Sequence, residues 1–139
     1  MSAIYETCAR AVGGRDGHAE TPDGLLKVDL AMPPELGGKG NGTNPEQLFA
    51  AGYAACFESA MRYVARQQKL GLKNASVTAT VQLHPRDGGG FKLAVKLDAE
   101  VEGLDEAAAR GLVETAHQVC PYSNAVRGNI DVELTTAVL

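Results

Sequence analysis

From residue 48 to residue 57 the chain carries no charged side chain, and its apolar and small residues point in every direction of a helical wheel. That is the pattern of a helix covered on all sides. The stretch lies inside a longer predicted helix over 43–71. Thr43 with Glu46 three residues on fits a capping box, Pro45 suits a first helical turn, and Gly71 supplies a stop. After Glu58 the pattern turns one-sided, with Ala60, Met61, Val64 and Ala65 facing inward and Arg62, Arg66, Gln67 and Lys69 facing water.

Elsewhere the alternation is that of strands. Residues 4–12 are compatible with a strand but alternate too softly to assign faces. Leu26, Val28 and Leu30 alternate with Lys27 and Asp29, predicting a half-buried strand that returns along the first as a hairpin. Residues 32–42, with two prolines and four glycines, read as a loop. Val77, Ala79, Val81 and Leu83 alternate with polar residues, the run Arg86-Asp87-Gly88-Gly89-Gly90 supplies a turn, and Phe91, Leu93, Val95, Leu97, Ala99 and Val101 alternate in their turn, the clearest hairpin in the chain. A second helix follows over 105–119, with Leu104, Ala108, Leu112, Ala116 and Val119 at helical spacing, and Pro121 ends it or forces a new turn. Ile130, Val132 and Leu134 give a last strand. This order, strand blocks around two main helices rather than repeated βαβ units, predicts an α+β fold with a mainly antiparallel sheet. No linker, repeat or low-complexity segment divides it, so residues 1–139 are expected to form a single domain.

Composition narrows the function classes. With 139 residues, 45% apolar, 22% charged and a formal charge of −4, the chain is long enough to bury a core and lacks a basic footprint for nucleic acid. No apolar run reaches about 18 residues, and no basic segment leads into an apolar core at the N-terminus, so neither a spanning helix nor a signal peptide is expected. The expected address is the cytoplasm. In that reducing compartment the three cysteines, Cys8, Cys56 and Cys120, do not form a structural framework, and a pair that oxidises does so transiently.

Each reactive residue has a bland reading. Cys56 among alanines reads as a small core residue, Cys120 as a helix end, Arg15 in Gly13-Gly14-Arg15-Asp16-Gly17 as a solvated turn residue, and Glu46 as the carboxylate of the capping box. Taken together, two cysteines with an arginine and a carboxylate able to tune a thiolate make a functional reading competitive. His117 and His84 read as structural or exposed, and Cys8 as packing.

The strings themselves carry more. Gly13-Gly14-Arg15-Asp16-Gly17, Glu35-Leu36-Gly37-Gly38, the run Thr43-Asn44-Pro45-Glu46-Gln47-Leu48-Phe49-Ala50-Ala51-Gly52-Tyr53-Ala54-Ala55-Cys56-Phe57 and Cys120-Pro121-Tyr122-Ser123-Asn124 occur in that order over nearly the whole chain. In these the chain resembles the organic hydroperoxide resistance (Ohr) proteins of the OsmC/Ohr superfamily, and the Tyr122-Ser123-Asn124 continuation resembles the Ohr branch rather than the OsmC branch. The resemblance implies an intertwined homodimer. It also implies roles: Cys56 as the peroxide-attacking cysteine, Cys120 as the resolving cysteine, Arg15 as the arginine that polarises thiolate and peroxide, and Glu46 as the carboxylate that holds that arginine. Cys8 has no counterpart in it.

The function so implied is a thiol-dependent peroxidase that reduces organic hydroperoxides through a Cys56 sulfenic acid and a Cys56–Cys120 disulfide, with a lipoyl-type dithiol carried on a protein as reductant. No bound metal or organic cofactor is expected. Walls from Phe49, Tyr53, Phe57 and Met61 would favour a peroxide bearing an alkyl or acyl chain, since hydrogen peroxide gains nothing from burying apolar area. Need for a partner also follows from the residues, because a helix covered on all sides is hard to enclose with one amphipathic helix and a sheet of this size. Glu46 and Cys56 lie ten positions apart, roughly 15 Å along an unbroken helix. Either the helix bends or the arginine and glutamate reach the cysteine from another subunit. Three rivals stand beside this reading: an OsmC-type peroxidase with another peroxide preference, a metal enzyme using Cys56, Cys120 and His117, and a non-catalytic thiol sensor.

Overall fold

The computed structural model describes residues 2–139. By its internal contacts the chain falls into two units, the first ending at Leu48 and the second running Phe49–Leu139. The division falls inside a helix rather than at a linker.

In the first unit, strands β1 (Arg10–Val12), β2 (His18–Glu20) and β3 (Lys27–Asp29) form an antiparallel sheet in that order. Arg10 faces Glu20, and His18 faces Asp29. The expected hairpin is thus corrected: β3 pairs with β2, a strand that His18-Ala19-Glu20 does not announce by apolar alternation. Of the strand-compatible run over 4–12 only the last three residues pair, because β2 is itself three residues long; Ile4 and Tyr5 lie fully in the open. Beyond β3 the chain turns back on itself. Leu30 and Thr43 form a parallel bridge, with Ala31 N–H donating to Thr43 O at 2.9 Å and Thr43 N–H to Asp29 O at 3.0 Å.

Helix α1 spans Pro45–Gln67. Pro45 occupies the first turn as expected, but the cap is Asn44 rather than Thr43: its Oδ1 accepts from Gln47 N–H at 2.9 Å, while Thr43 Oγ1 donates to Gln47 Oε1 at 2.6 Å. The helix also stops four residues before Gly71. Leu70 N–H bonds back to Ala65 O and Lys69 N–H to Arg66 O, a Schellman closure with Lys69 at φ 55° in the left-handed position. The expectation of all-round burial is corrected as well. One face carries the buried Tyr53, Phe57, Ala60, Met61, Val64 and Ala65, whereas Ala51 and Ala55 are exposed, because nothing among the described residues covers that side.

The second unit is built on strands β4 (Asn74–Pro85), β5 (Phe91–Glu102) and β6 (Val132–Val138), in the order β4-β5-β6. The β4–β5 hairpin pairs antiparallel from Asn74↔Glu102 to Pro85↔Phe91 around the predicted glycine turn. β6 lies parallel to β5, from Val95↔Val132 to Val101↔Val138. Parallel neighbours need a crossover, and α2 (Glu106–Val119) and α3 (Pro121–Val126) supply it. Asp105 caps α2 by accepting from Ala108 N–H at 2.8 Å. Val95, Leu97, Ala99 and Val101 of β5 enter one core with Phe57 and Met61 of α1 and Leu112 and Val113 of α2. Each of the large side chains there contributes roughly 2 kcal/mol by burial.

Candidate functional site

Arg15 stands in a 3-10 turn, Gly14–Asp16, whose shape depends on the glycines around it. Gly13 has φ 88°, and a Cβ on Gly17 would come within 1.8 Å of Val12 O, so neither position takes an ordinary residue without rebuilding the turn. The turn is tied down by Leu30 N–H, which donates to Gly17 O at 2.8 Å. The Leu30–Thr43 bridge meanwhile brings the start of α1, and Glu46 in its first turn, to the same place. The Arg15 guanidinium meets the Glu46 carboxylate as a two-pronged fork, at 2.9 Å to Oε2 and 2.7 Å to Oε1. Hydrogen bonds from Arg15 hold the Glu46 carboxyl below the usual carboxylate range, against the burial that pushes it up. Of the two readings of Glu46, the partner of Arg15 is the one observed; the cap belongs to Asn44.

Cys56 sits half-buried in α1, and Cys120 is fully buried at the corner where α2 gives way to α3. That corner is written in the sequence. Cys120 N–H still closes the last turn of α2 on Ala116 O, its ψ of 124° is the extended value that a following proline imposes, and Pro121 opens α3. Both thiols are free, with Cys120 Sγ 3.5 Å from Cys56 Sγ. Burial pushes the Cys56 thiol above its ordinary value; a hydrogen bond from the Tyr122 backbone favours the thiolate, and the neighbouring Cys120 disfavours it.

Around the sulfurs lie Tyr122 and Ser123, to which the sequence reading gave no role in the site. Ser123 has no exposed surface, and its Oγ lies 2.6 Å from the Tyr53 hydroxyl and 2.8 Å from His117 Nδ1. Tyr122 packs against Phe49 and Tyr53, with ring centroids 6.2 and 5.8 Å away. Gly52 permits this approach, since a Cβ there would stand 2.8 Å from the Tyr122 hydroxyl. No periodicity marks Ser123; only its place in the Cys120-Pro121-Tyr122-Ser123-Asn124 string could have drawn notice to it.

Of the four expected apolar wall residues, Tyr53, Phe57 and Met61 are fully buried core side chains. Phe49 instead lines an open cavity of about 610 Å³ with Leu83, Phe91 and Ile130, and with the charged Arg86, Asp87 and Lys92. Cys8 is exposed rather than packed. His84 contacts Gln82 through Nε2. His117, one of the three side chains of the metal reading, has its Nδ1 engaged by Ser123. No helix among the described residues is long and apolar enough to cross a membrane.

The chain has similar relatives among known proteins. The family model described as OsmC-like protein matches residues 38–135. An organic hydroperoxide resistance protein of Xanthomonas axonopodis pv. citri is 54% identical over 96% of this chain and 95% of its own length. Among solved structures, an organic hydroperoxide resistance protein from Legionella pneumophila superposes with a TM-score of 0.96 at 60% identity, covering 99% of this chain and 100% of its own. The organic hydroperoxide resistance protein OhrB of Bacillus subtilis does so with a TM-score of 0.87 at 44% identity, covering 96% and 99%. The chain therefore belongs to the OsmC-like family, within its organic hydroperoxide resistance (Ohr) branch.

Proposed function

We propose that the chain is a thiol-dependent peroxidase that reduces organic hydroperoxides to alcohols. The observation that carries this reading is the pair of free sulfurs, Cys56 and Cys120, 3.5 Å apart on separate helices. Cys56 as thiolate attacks the terminal oxygen of the hydroperoxide. The O–O bond breaks, its electron pair leaves on the alkoxide, which takes up a proton to become the alcohol, and Cys56 is left as a sulfenic acid. The sulfur of Cys120 then displaces hydroxide from that sulfenic acid, and the proton lost by Cys120 completes a water molecule. A lipoyl-type dithiol on a carrier protein returns both thiols by exchange and becomes the cyclic disulfide.

Arg15 supplies the positive charge that this chemistry needs, since burial alone holds Cys56 in its thiol form. Glu46 orients that guanidinium through the two-pronged contact. The cavity beside Phe49 gives an alkyl or acyl chain apolar surface to bury, within the size range of small-molecule sites. A homodimer is part of the proposal: the exposed Ala51 and Ala55 of α1, with Ile4 and Tyr5 in the open, are surfaces that a second copy would cover. No bound metal or organic cofactor is needed, and the reducing cytoplasm is the compartment in which such a dithiol cycle runs.

The test is a steady-state assay with an alkyl hydroperoxide and three reductants, dihydrolipoamide, thioredoxin and glutathione. Sustained turnover is expected with dihydrolipoamide. A protein that reacts once and fails to turn over with any of the three is a peroxide sensor, and the enzymatic reading falls.

A further inference from the structure

Cys120 has an exposed problem of placement although its side chain is buried. It hangs on a corner between α2 and α3, and α3 is only six residues long, too short to hold its own shape in water without tertiary ties. Moving the two sulfurs from 3.5 Å to bonding distance requires an approach of about 1.5 Å. Something has to set where that approach starts.

We propose that Ser123 is a positioning residue for the disulfide-forming step, its hydroxyl tying the first turn of α3 to Tyr53 of α1 and to His117 of α2 so that Cys120 is presented to Cys56. The inference rests on the peroxidase reading given above. The three elements that Ser123 joins are those that carry or flank the two sulfurs: Cys56 follows Tyr53 on α1 by three residues, His117 precedes Cys120 on α2 by three, and Cys120 precedes Ser123 by three. One hydroxyl thus spans the whole corner.

The network is also complete in itself. With the proton of His117 on Nε2, the Tyr53 hydroxyl donates to Ser123 Oγ and Ser123 donates to His117 Nδ1, so both hydroxyl protons have an acceptor. Burial and the neighbouring Arg127 lower the His117 pKa, in keeping with the neutral ring this requires. Arg127 secures the same corner by donating to the His117 carbonyl oxygen at 2.6 Å. Tyr53 stands one helical turn before Cys56 and Ser123 one turn after Cys120, so the hydroxyl contact joins the two segments that carry the sulfurs. A displacement of about 1 Å in a reacting group costs on the order of a hundredfold in rate, so loosening this tie should slow closure of the disulfide without touching the first attack on peroxide.

The experiment separates the two steps in the full-length protein. Reduced wild type, Ser123→Ala and Tyr53→Phe are each mixed with one equivalent of an alkyl hydroperoxide. Sulfenic acid is read by dimedone trapping, and disulfide by mass spectrometry over time. Ser123→Ala should consume peroxide at the wild-type rate yet form the disulfide about tenfold more slowly or worse, with sulfinic acid accumulating under excess peroxide. Tyr53→Phe removes the same tie from the α1 side with the ring retained, and should lower the ratio of closure to oxidation in the same direction; it keeps the test open if the alanine variant folds poorly. Closure within twofold of wild type in the folded variants would overturn the positioning role. If wild-type protein forms neither sulfenic acid nor the Cys56–Cys120 disulfide, the peroxidase reading fails instead, and the two failures are told apart by that first measurement.

Discussion

Cys120 Sγ lies 3.5 Å from Cys56 Sγ, close enough to be in contact and too far to be bonded. Cys56 is half-buried while Cys120 has no exposed surface, so an external oxidant meets Cys56 first. Under the proposed two-cysteine scheme, oxidation then begins at Cys56. Cys56→Ser should abolish hydroperoxide consumption, because a hydroxyl is a far poorer nucleophile than a thiolate. Cys120→Ser should consume about one equivalent per site and then stall or over-oxidise. Wild-type protein after one equivalent should lose two hydrogens and yield a Cys56–Cys120 crosslinked peptide pair; a lasting sulfenic acid on Cys56 with Cys120 free would count against the two-cysteine scheme.

Burial pushes the Cys56 thiol up, so a reactive thiolate at neutral pH needs an opposing positive charge. If Arg15 provides it, Arg15→Ala should shift the pH midpoint of Cys56 alkylation upward and slow its oxidation by peroxide, with the fold intact. Measuring iodoacetamide reactivity against pH in a Cys120→Ser background isolates this. An unchanged midpoint would return Arg15 to the role of a turn residue.

Glu46 behaves oppositely with pH. Its carboxyl pKa is lowered in the fold by Arg15, so the ion pair's contribution is fully present above the ordinary carboxylate value and is lost as pH falls through the lowered one. The pair is partly solvated, which limits its worth to about 1 kcal/mol. Denaturant unfolding of wild type and Glu46→Gln should differ by that much at neutral pH and converge as pH drops below about 4. A gap that stays constant as pH falls well below the ordinary carboxylate value would mean that the ion pair is not its source.

Lys69 ends α1 in a left-handed conformation that a side chain resists and glycine does not. Lys69→Gly should raise stability by about 0.5 to 1 kcal/mol, net of the entropy glycine loses on folding. Urea unfolding reads the sign directly, and a loss of stability would show that the exposed Lys69 side chain contributes more than its backbone costs.

Much of this molecule could be read from local chemistry. Pro45 at the start of α1, Asp105 at the cap of α2 and the glycine turn between β4 and β5 act within a few residues of themselves, and the expected elements match. What escaped depends on distant neighbours. β2 is held by strands on both sides rather than by its own His18-Ala19-Glu20 pattern. Ser123 gains its meaning from Tyr53, seventy positions away. The apolar stretch of α1 was read as covered all round, and the exposed Ala51 and Ala55 leave that side without cover inside one chain. At the site, the fold brings Arg15 to Glu46 and Cys120 to Cys56, four residues singled out from the strings, whereas Tyr53, Phe57 and Met61 belong to the core.

The parallel pairing of β6 on β5 has a kinetic consequence. The β4–β5 hairpin closes over the short turn at residues 86–90, which costs little chain entropy, while pairing of β6 with β5 closes the much longer crossover loop over residues 103–131 and is expected to follow it. Cys120 rides on that crossover. This order predicts a refolding stage in which the hairpin is closed but no second sulfur stands beside Cys56, the two cysteines coming together with the last strand. Pulsed thiol labelling should find Cys120 becoming protected together with the amides of β6 and later than those of the hairpin.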